Sequence, residues 1–285
     1  MTQTRLPLLL SAAPPIAAGF AVLALANVSS RVWSMQLGMI CGALVLVAVG
    51  RLLDRRTRGD AAARIVVTST PIAIAVPLLD ASTTGPTRWI ALGPLSLYMA
   101  PVLLPSFLAA CAVLVRRRRV GEVIALTGTV CSSVVLALQP DASQALALLT
   151  GSTVLLLRYR GSLLKTAGPL LALALVTAWA FTRPDPLAPV PHVEGVFALA
   201  LDRSVFVGVA VILSALAFIA CLCVFSARGP AWLAAVASYY AVLFACSVAG
   251  LTPAPLIGFG AGPLLGFGLL VAFAPHADDQ DPRSD

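Results

Sequence analysis

Between Met99 and Asp141 the chain reads MAPVLLPSFLAACAVLV, then Arg116-Arg117-Arg118-Arg119, then VGEVIALTGTVCSSVVLALQPD. Two apolar runs, each long enough to cross a bilayer, are separated by four consecutive arginines. The second run ends in Leu138-Gln139-Pro140-Asp141. A carboxylate at the end of a hydrophobic segment is costly to hold near a bilayer, so it asks for a partner or a task. Pro140 restricts the backbone beside it and interrupts any helix entering the turn.

The same alternation recurs along all 285 residues. The chain is 59% apolar and 11% charged, where soluble chains carry roughly a quarter charged residues. Mean hydropathy is +0.96. Short alternating segments of the kind that build a transmembrane barrel are not visible. The composition therefore predicts an all-α polytopic membrane protein. The net charge of +7 does not point to a nucleic-acid partner, because the arginines cluster in short loops between spans, where they act as orientation signals. The six cysteines lie almost all inside apolar runs and read as small packing residues, and Cys221 and Cys223 point to different faces of one helix.

Ten spans are expected: Arg5 to about Ala26, Trp33–Leu53, Ile65–Leu79, Met99–Val115, Gly121–Gln139, Asp141–Leu157, Ala167–Phe181, Ser204–Phe225, Ala231–Leu251 and Ile257–Ala274. Ala24-Leu25-Ala26 resembles a signal-peptidase site, but the first apolar run is long for a signal peptide, and a retained first span is expected. Thr83 to Leu97 is polar, glycine-rich and aromatic; it is expected at the interface, with Trp89 and Tyr98 at headgroup depth. Gly195 to Leu201 is too short to cross and reads as a re-entrant or interfacial helix. Residues 1–275 form a single transmembrane domain, and the acidic tail 276–285 is expected to be disordered.

With the N-terminus in the cytoplasm, inner loops and ends hold fifteen of the nineteen basic residues. The outer side keeps only Arg31, Arg88, Arg183 and Arg203. This bias places both termini inside. It also gathers four polar stretches outside: the Arg88-Trp89 loop, Asp141, the His192/Glu194/Asp202/Arg203 segment and the Thr252-Pro253-Ala254-Pro255 turn. Asp80, Arg31 and Asp185 fall outside this set. The pattern suits a site for an anionic, lipid-linked molecule. Arg88 and Arg203 would hold phosphate, and Asp141 would act as general base toward a sugar hydroxyl.

Each element has a plainer reading that stays open. Arg88 and Trp89 are also good interface anchors, and Asp141 is also a good cap for the helix that follows it. His192 reads as a solvated loop residue, and Glu194 or Asp202 as a partner of Arg203. Ser162-Leu-Leu-Lys165 matches a nucleophile pattern but lies on the basic cytoplasmic side, and is set aside.

Gly85-x-x-Arg88-Trp89-Ile90-x-Leu92-Gly93-Pro94 after the third span, and Leu138-Gln139-Pro140-Asp141 after the fifth, resemble the two signatures of the SEDS proteins of RodA/FtsW type. The resemblance extends more weakly to Glu194-Gly-Val-Phe197-Ala198 and to Thr252-Pro253. It implies a peptidoglycan glycosyltransferase of the bacterial inner membrane that polymerises lipid II at the outer leaflet, beside a class B penicillin-binding protein, in cell shape or division. Asp141 takes the position of the family's essential aspartate. Arg88, Trp89, Gln139, Glu194 and Arg203 would lie on the substrate side. A divalent cation is compatible with a carboxylate meeting a diphosphate, but no motif demands one.

The chain also departs from the family. The expected Gln-Pro-Ser-Glu is replaced by Tyr98-Met99-Ala100-Pro101, and the following lysine by Leu104. Ala142-Ser143-Gln144 follows the second signature, the outer loop after the seventh span shrinks to about Thr182–Pro191, and the serine-rich ending is absent. Two alternatives follow from these losses and from the class: a catalytically degenerate partner of the cell-wall machinery, and a flippase for lipid-linked precursors. A flippase is expected to show internal repeats, and none is clear.

Overall fold

The computed structural model describes residues 5–52, 60–79, 87–93, 95–116, 118–160, 163–185, 189–227 and 229–274. The first span is broken where its prolines predict: α1 (Arg5–Ser11) gives way at Ala12 to α2 (Ala13–Leu25), whose first turn takes Pro14 and Pro15 without losing a hydrogen bond. Then come α3 (Ser30–Leu52) and α4 (Asp60–Ala75), the latter tightening into a 3-10 turn over Val76–Leu79.

The stretch expected at the interface is a β-hairpin. Strand β1 (Trp89–Leu92) pairs antiparallel with β2 (Leu95–Tyr98), Trp89 opposite Tyr98. Gly93, at φ +62, supplies the left-handed turn residue. Pairing satisfies backbone groups that have no helix to serve them. The remaining helices are α5 (Met99–Val115), α6 (Arg118–Leu138), α7 (Ala142–Arg160), α8 (Leu163–Thr182), the short α9 (Val196–Arg203), α10 (Val205–Ala227), α11 (Ala231–Val248) and α12 (Ala261–Phe273).

Among the described residues, counting α1 and α2 as one broken span and leaving out α9, ten helical segments match the ten spans expected. Six of these described segments are long and apolar enough by themselves. The outward faces are apolar too: Leu44 and Val45 on α3, Leu171 and Leu175 on α8, Phe206 and Leu213 on α10. Helices that are hydrophobic all round belong in lipid. Inside, α5 packs against α4, α6, α7, α11 and α12 and is almost wholly buried. Between α3 and α12 small residues set the spacing; a Cβ on Gly268 would come within 2.8 Å of the Ala43 backbone. Close approach of backbones through small residues is how membrane helices gain packing without a hydrophobic drive.

Among the boundaries that shift by several residues, one bears on the site. The last helix starts at Ala261 rather than Ile257, because Pro253 and Pro255 remove donors and Gly260 lies at φ +154. Residues 251–260 are irregular, and hydrogen bonds tie them to neighbouring segments. Ala254 N–H donates to Val193 O at 3.2 Å, Phe259 N–H to His192 O at 2.9 Å and the Ser143 hydroxyl to Leu251 O at 3.3 Å. The arginine-poor end of the bundle is thereby tied together. The basic loop at 53–59, Asp80, Gly85, Ser162 and the tail from 275 lie outside the described residues.

Candidate functional site

Helix α6 ends at Leu138, Pro140 keeps it from continuing, and the chain re-enters helix at Ala142, so Asp141 is the last of the three turn residues between α6 and α7. Its backbone N–H donates back to Leu136 O at 2.9 Å, and its carbonyl accepts the first bond of α7 from Ala145 N–H at 3.1 Å. Its Oδ1 accepts from Gln144 N–H at 3.3 Å, three residues on. This is a helix cap, satisfying an otherwise unpaired donor at the positive end of α7. The plainer reading of Asp141 is therefore true, and the carboxylate does more besides: Oδ2 accepts a hydrogen bond from the Tyr98 hydroxyl.

The hairpin brings in the rest. Arg88, directly before β1, is 6% exposed. Its Nε donates to Gln139 O at 2.9 Å, and its Nη2 donates to Pro140 O and, at 2.7 Å, to Asp185 Oδ2. The guanidinium fork thus grips the main chain of the 139–141 turn and ties it to the loop after α8. Gln139 is buried and donates from Nε2 to Ile74 O at 2.7 Å, anchoring the same turn to the end of α4. Trp89 lies 5.5 Å from the Tyr98 ring and 6.0 Å from the Arg88 guanidinium carbon. Beneath the turn, Tyr239 on α11 donates to Gln144 Oε1 at 2.6 Å.

Electrostatics follow from depth. Asp141 is 2% exposed. Burial raises its pKa and prevails over the lowering effects of Arg88, the Tyr98 hydroxyl and the Gln144 amide, while Asp185 pushes the same way as burial. Burial works to lower the Arg88 pKa, but the carboxylates of Asp141 and Asp185 favour its charged form and the net direction is up. Tyr98 is pushed well above the ordinary phenol value, first by burial and then by Asp141, so it is a neutral donor.

Four of the expected site residues, Arg88, Trp89, Gln139 and Asp141, converge in this cluster. Glu194 is held apart: its carboxylate accepts from the Val190 amide at 2.9 Å, capping its own turn. Its backbone carbonyl accepts from Ser247 at 3.4 Å. His192 lies 6.1 Å from the Phe259 ring. Arg203 ends α9 exposed; among the described residues neither Glu194 nor Asp202 forms an ion pair with it, contrary to the pairing considered above. One assignment needs correcting: Asp185, set outside the constellation, is the ion-pair partner of Arg88. Tyr98, expected only as an interface residue, is also 5% exposed and bonded to Asp141. Gln144, met in the sequence only as a departure from the second signature, and Tyr239 join the site as well, and only their polarity within apolar runs marks them.

Asp141 and Asp185 face one guanidinium, and Arg88 already supplies the positive charge that a cation would bring. Among the described residues no group of three or more His, Cys, Asp or Glu side chains gathers to hold a metal ion.

A ten-span bundle with a hairpin pressed on an aspartate turn defines a multi-pass membrane protein with the RodA fold. The solved structures it is similar to include the rod shape-determining protein RodA of Thermus thermophilus, as an aspartate-to-alanine mutant (TM-score 0.73, 21% identity, 98% of each chain covered) and unmutated (0.71, 22%, 98% of this chain and 97% of that one). A third is a chain from a structure described as the coordination of polymerization and crosslinking by a peptidoglycan synthase complex (0.69, 20%, 98% of each). No family model and no curated protein matches the sequence.

Proposed function

We propose that this chain is a SEDS-type protein of bacterial cell-wall synthesis in the plasma membrane. It is a glycosyltransferase acting on lipid II or a similar undecaprenyl-linked saccharide at the outer leaflet. The observation that supports this reading is the meeting of Arg88 and Asp141, fifty-three positions apart, at the arginine-poor end of a RodA fold. Asp141 takes a proton from the acceptor sugar hydroxyl, whose oxygen then attacks the anomeric carbon of the donor. The bond from that carbon to the diphosphate oxygen breaks, and undecaprenyl diphosphate leaves with the electron pair. A buried carboxylate whose pKa is raised is the more basic for it. Arg88 and Arg203 offset the leaving diphosphate's charge, with Trp89, Gln139 and Glu194 shaping the substrate side. A class B penicillin-binding protein is the proposed partner. The test is polymerisation of lipid II by purified protein, with Asp141→Asn alongside; equal product from the variant refutes the assigned role.

A second reading is supported by a separate observation. Asp141 and Arg88 are satisfied within the chain, and the expected glutamate and lysine are Pro101 and Leu104. A non-catalytic partner of the cell-wall machinery fits this arrangement. Rescue of a shape or division defect by Asp141→Asn as well as by the parent selects it.

A further inference from the structure

One two-stranded unit delivers two side chains to the same turn. Arg88 stands directly before β1 and Tyr98 closes β2, and the register sets Trp89 against Tyr98, so the pair are fixed relative to each other by backbone hydrogen bonds. Arg88 takes the main chain of the turn at Gln139 and Pro140; Tyr98 takes the side chain of Asp141. Among the described residues Tyr98 is the only side chain that donates to that carboxylate, the other donor being the Gln144 amide. The residues that follow, Met99, Ala100, Pro101 and Leu104, offer no charged or hydroxyl group in its place. Trp89 covers the phenol ring, and Tyr98 is itself buried, so the hydroxyl has little freedom to bond elsewhere.

From this geometry we infer that Tyr98 is a positioning residue for the reaction at Asp141, its hydroxyl fixing Oδ2 while the Gln144 amide fixes Oδ1. The inference rests on the reading of Asp141 as the working carboxylate. A carboxylate held at both oxygens presents one direction for accepting a proton, which is the requirement for a base that must meet a hydroxyl in a single pose. The groups that face Asp141 are Arg88 before β1, Tyr98 on β2, Asp185 after α8, and Tyr239 and Cys246 on α11. Of these, Tyr98 alone bonds the carboxylate directly, so its loss acts on Asp141 first.

The experiment is an infrared pH titration of the full chain in lipid nanodiscs, with the carboxylic-acid band assigned by its loss in Asp141→Asn. Tyr98→Phe removes a donor to the ionised form and raises the midpoint by about one unit or more. Lipid II polymerisation by Tyr98→Phe then falls about tenfold below that midpoint, its acid limb moving up in step while KM is little changed. Fluorotyrosine placed at 98 keeps the shape and is a stronger donor, so it moves the midpoint down, which guards against a Tyr98→Phe protein that folds badly. An unmoved midpoint in both variants overturns the positioning role, whatever the activity. A moved midpoint with wild-type protein inactive on lipid II, or with Asp141→Asn as active as the parent, overturns the catalytic reading and with it any part for Tyr98 in a reaction.

Discussion

Arg88→Ala should be the most destabilising single change at the loop end of the bundle, and the contacts say why. The guanidinium makes three contacts: Gln139 O at 2.9 Å, Pro140 O, and Asp185 at 2.7 Å. A hydrogen bond from a charged donor contributes roughly 1.5–3 kcal/mol. The Asp185 carboxylate is 36% exposed, so solvent screens the ion pair and its share is below about 1 kcal/mol. The two carbonyls dominate. Truncation also leaves Asp141 without its nearest positive charge. Allowing for partial rehydration, the loss is about 3 kcal/mol. Arg88→Lys keeps the charge but has no planar fork to span two carbonyls, and should lose about half of that. Asp185→Asn should lose less than about 1 kcal/mol. Reversible unfolding in mixed micelles, with denaturing detergent as the variable, measures all three. If Asp185→Asn costs as much as Arg88→Ala, the ion pair and not the grip on the turn is what matters, and the account of Arg88 is refuted.

Three further outcomes are expected. Activity on lipid II should rise with pH through a limb above the ordinary aspartate value of about 3.9, because burial holds the Asp141 proton; a limb at or below that value refutes the role of burial. Gly266→Ala places a Cβ inside the contact distance of the Pro101 carbonyl oxygen, so α12 must move from α5. A loss of about 3 kcal/mol or failure to insert is expected, and a thermal-unfolding midpoint equal to the parent's argues against the packing described. Tyr239→Phe removes the donor to the buried Gln144 Oε1 and should cost about 1–2 kcal/mol, measured in the same micelle assay.

How far the fold was legible follows from the physics of each signal. Helices that face lipid must be apolar over their whole length, so the spans stand out and most of their ends fall within a few residues of expectation. Asp141, Gln139 and Arg88 stand out because a polar group in such a chain is conspicuous. The hairpin did not, although Gly93-Pro94 between Trp89-Ile90 and Leu97-Tyr98 is a turn signal. Four-residue strands carry little periodicity, and hydropathy only says that the stretch does not cross. Tyr98 and Tyr239 look like ordinary interface and packing aromatics until the packing of β2, α7 and α11 on one turn is known. Asp185 sits among prolines in a loop that reads as solvated, and its bond to Arg88 joins residues ninety-seven positions apart.

The two functional readings diverge on the stability of Asp141→Asn. Burial outweighs the favourable partners of Asp141, so the folded pKa lies above the unfolded one. Between those values the folded state binds more protons, and stability falls as pH rises through that window. Above it the folded protein carries a carboxylate that is less favourable there than in water. Asparagine keeps an oxygen to accept from the Gln144 amide or from Tyr98 and removes the charge. At neutral pH and above, Asp141→Asn should therefore be at least as stable as the parent, with any advantage fading toward acid pH. A residue kept at a cost to stability is one kept for chemistry. Were the cluster purely a tie between loops, the charged acceptor would be its strongest member, and the substitution would lower the unfolding midpoint at every pH above that window. Thermal unfolding of the two proteins across the pH range decides between them, and a variant less stable than its parent at neutral pH counts against the catalytic assignment.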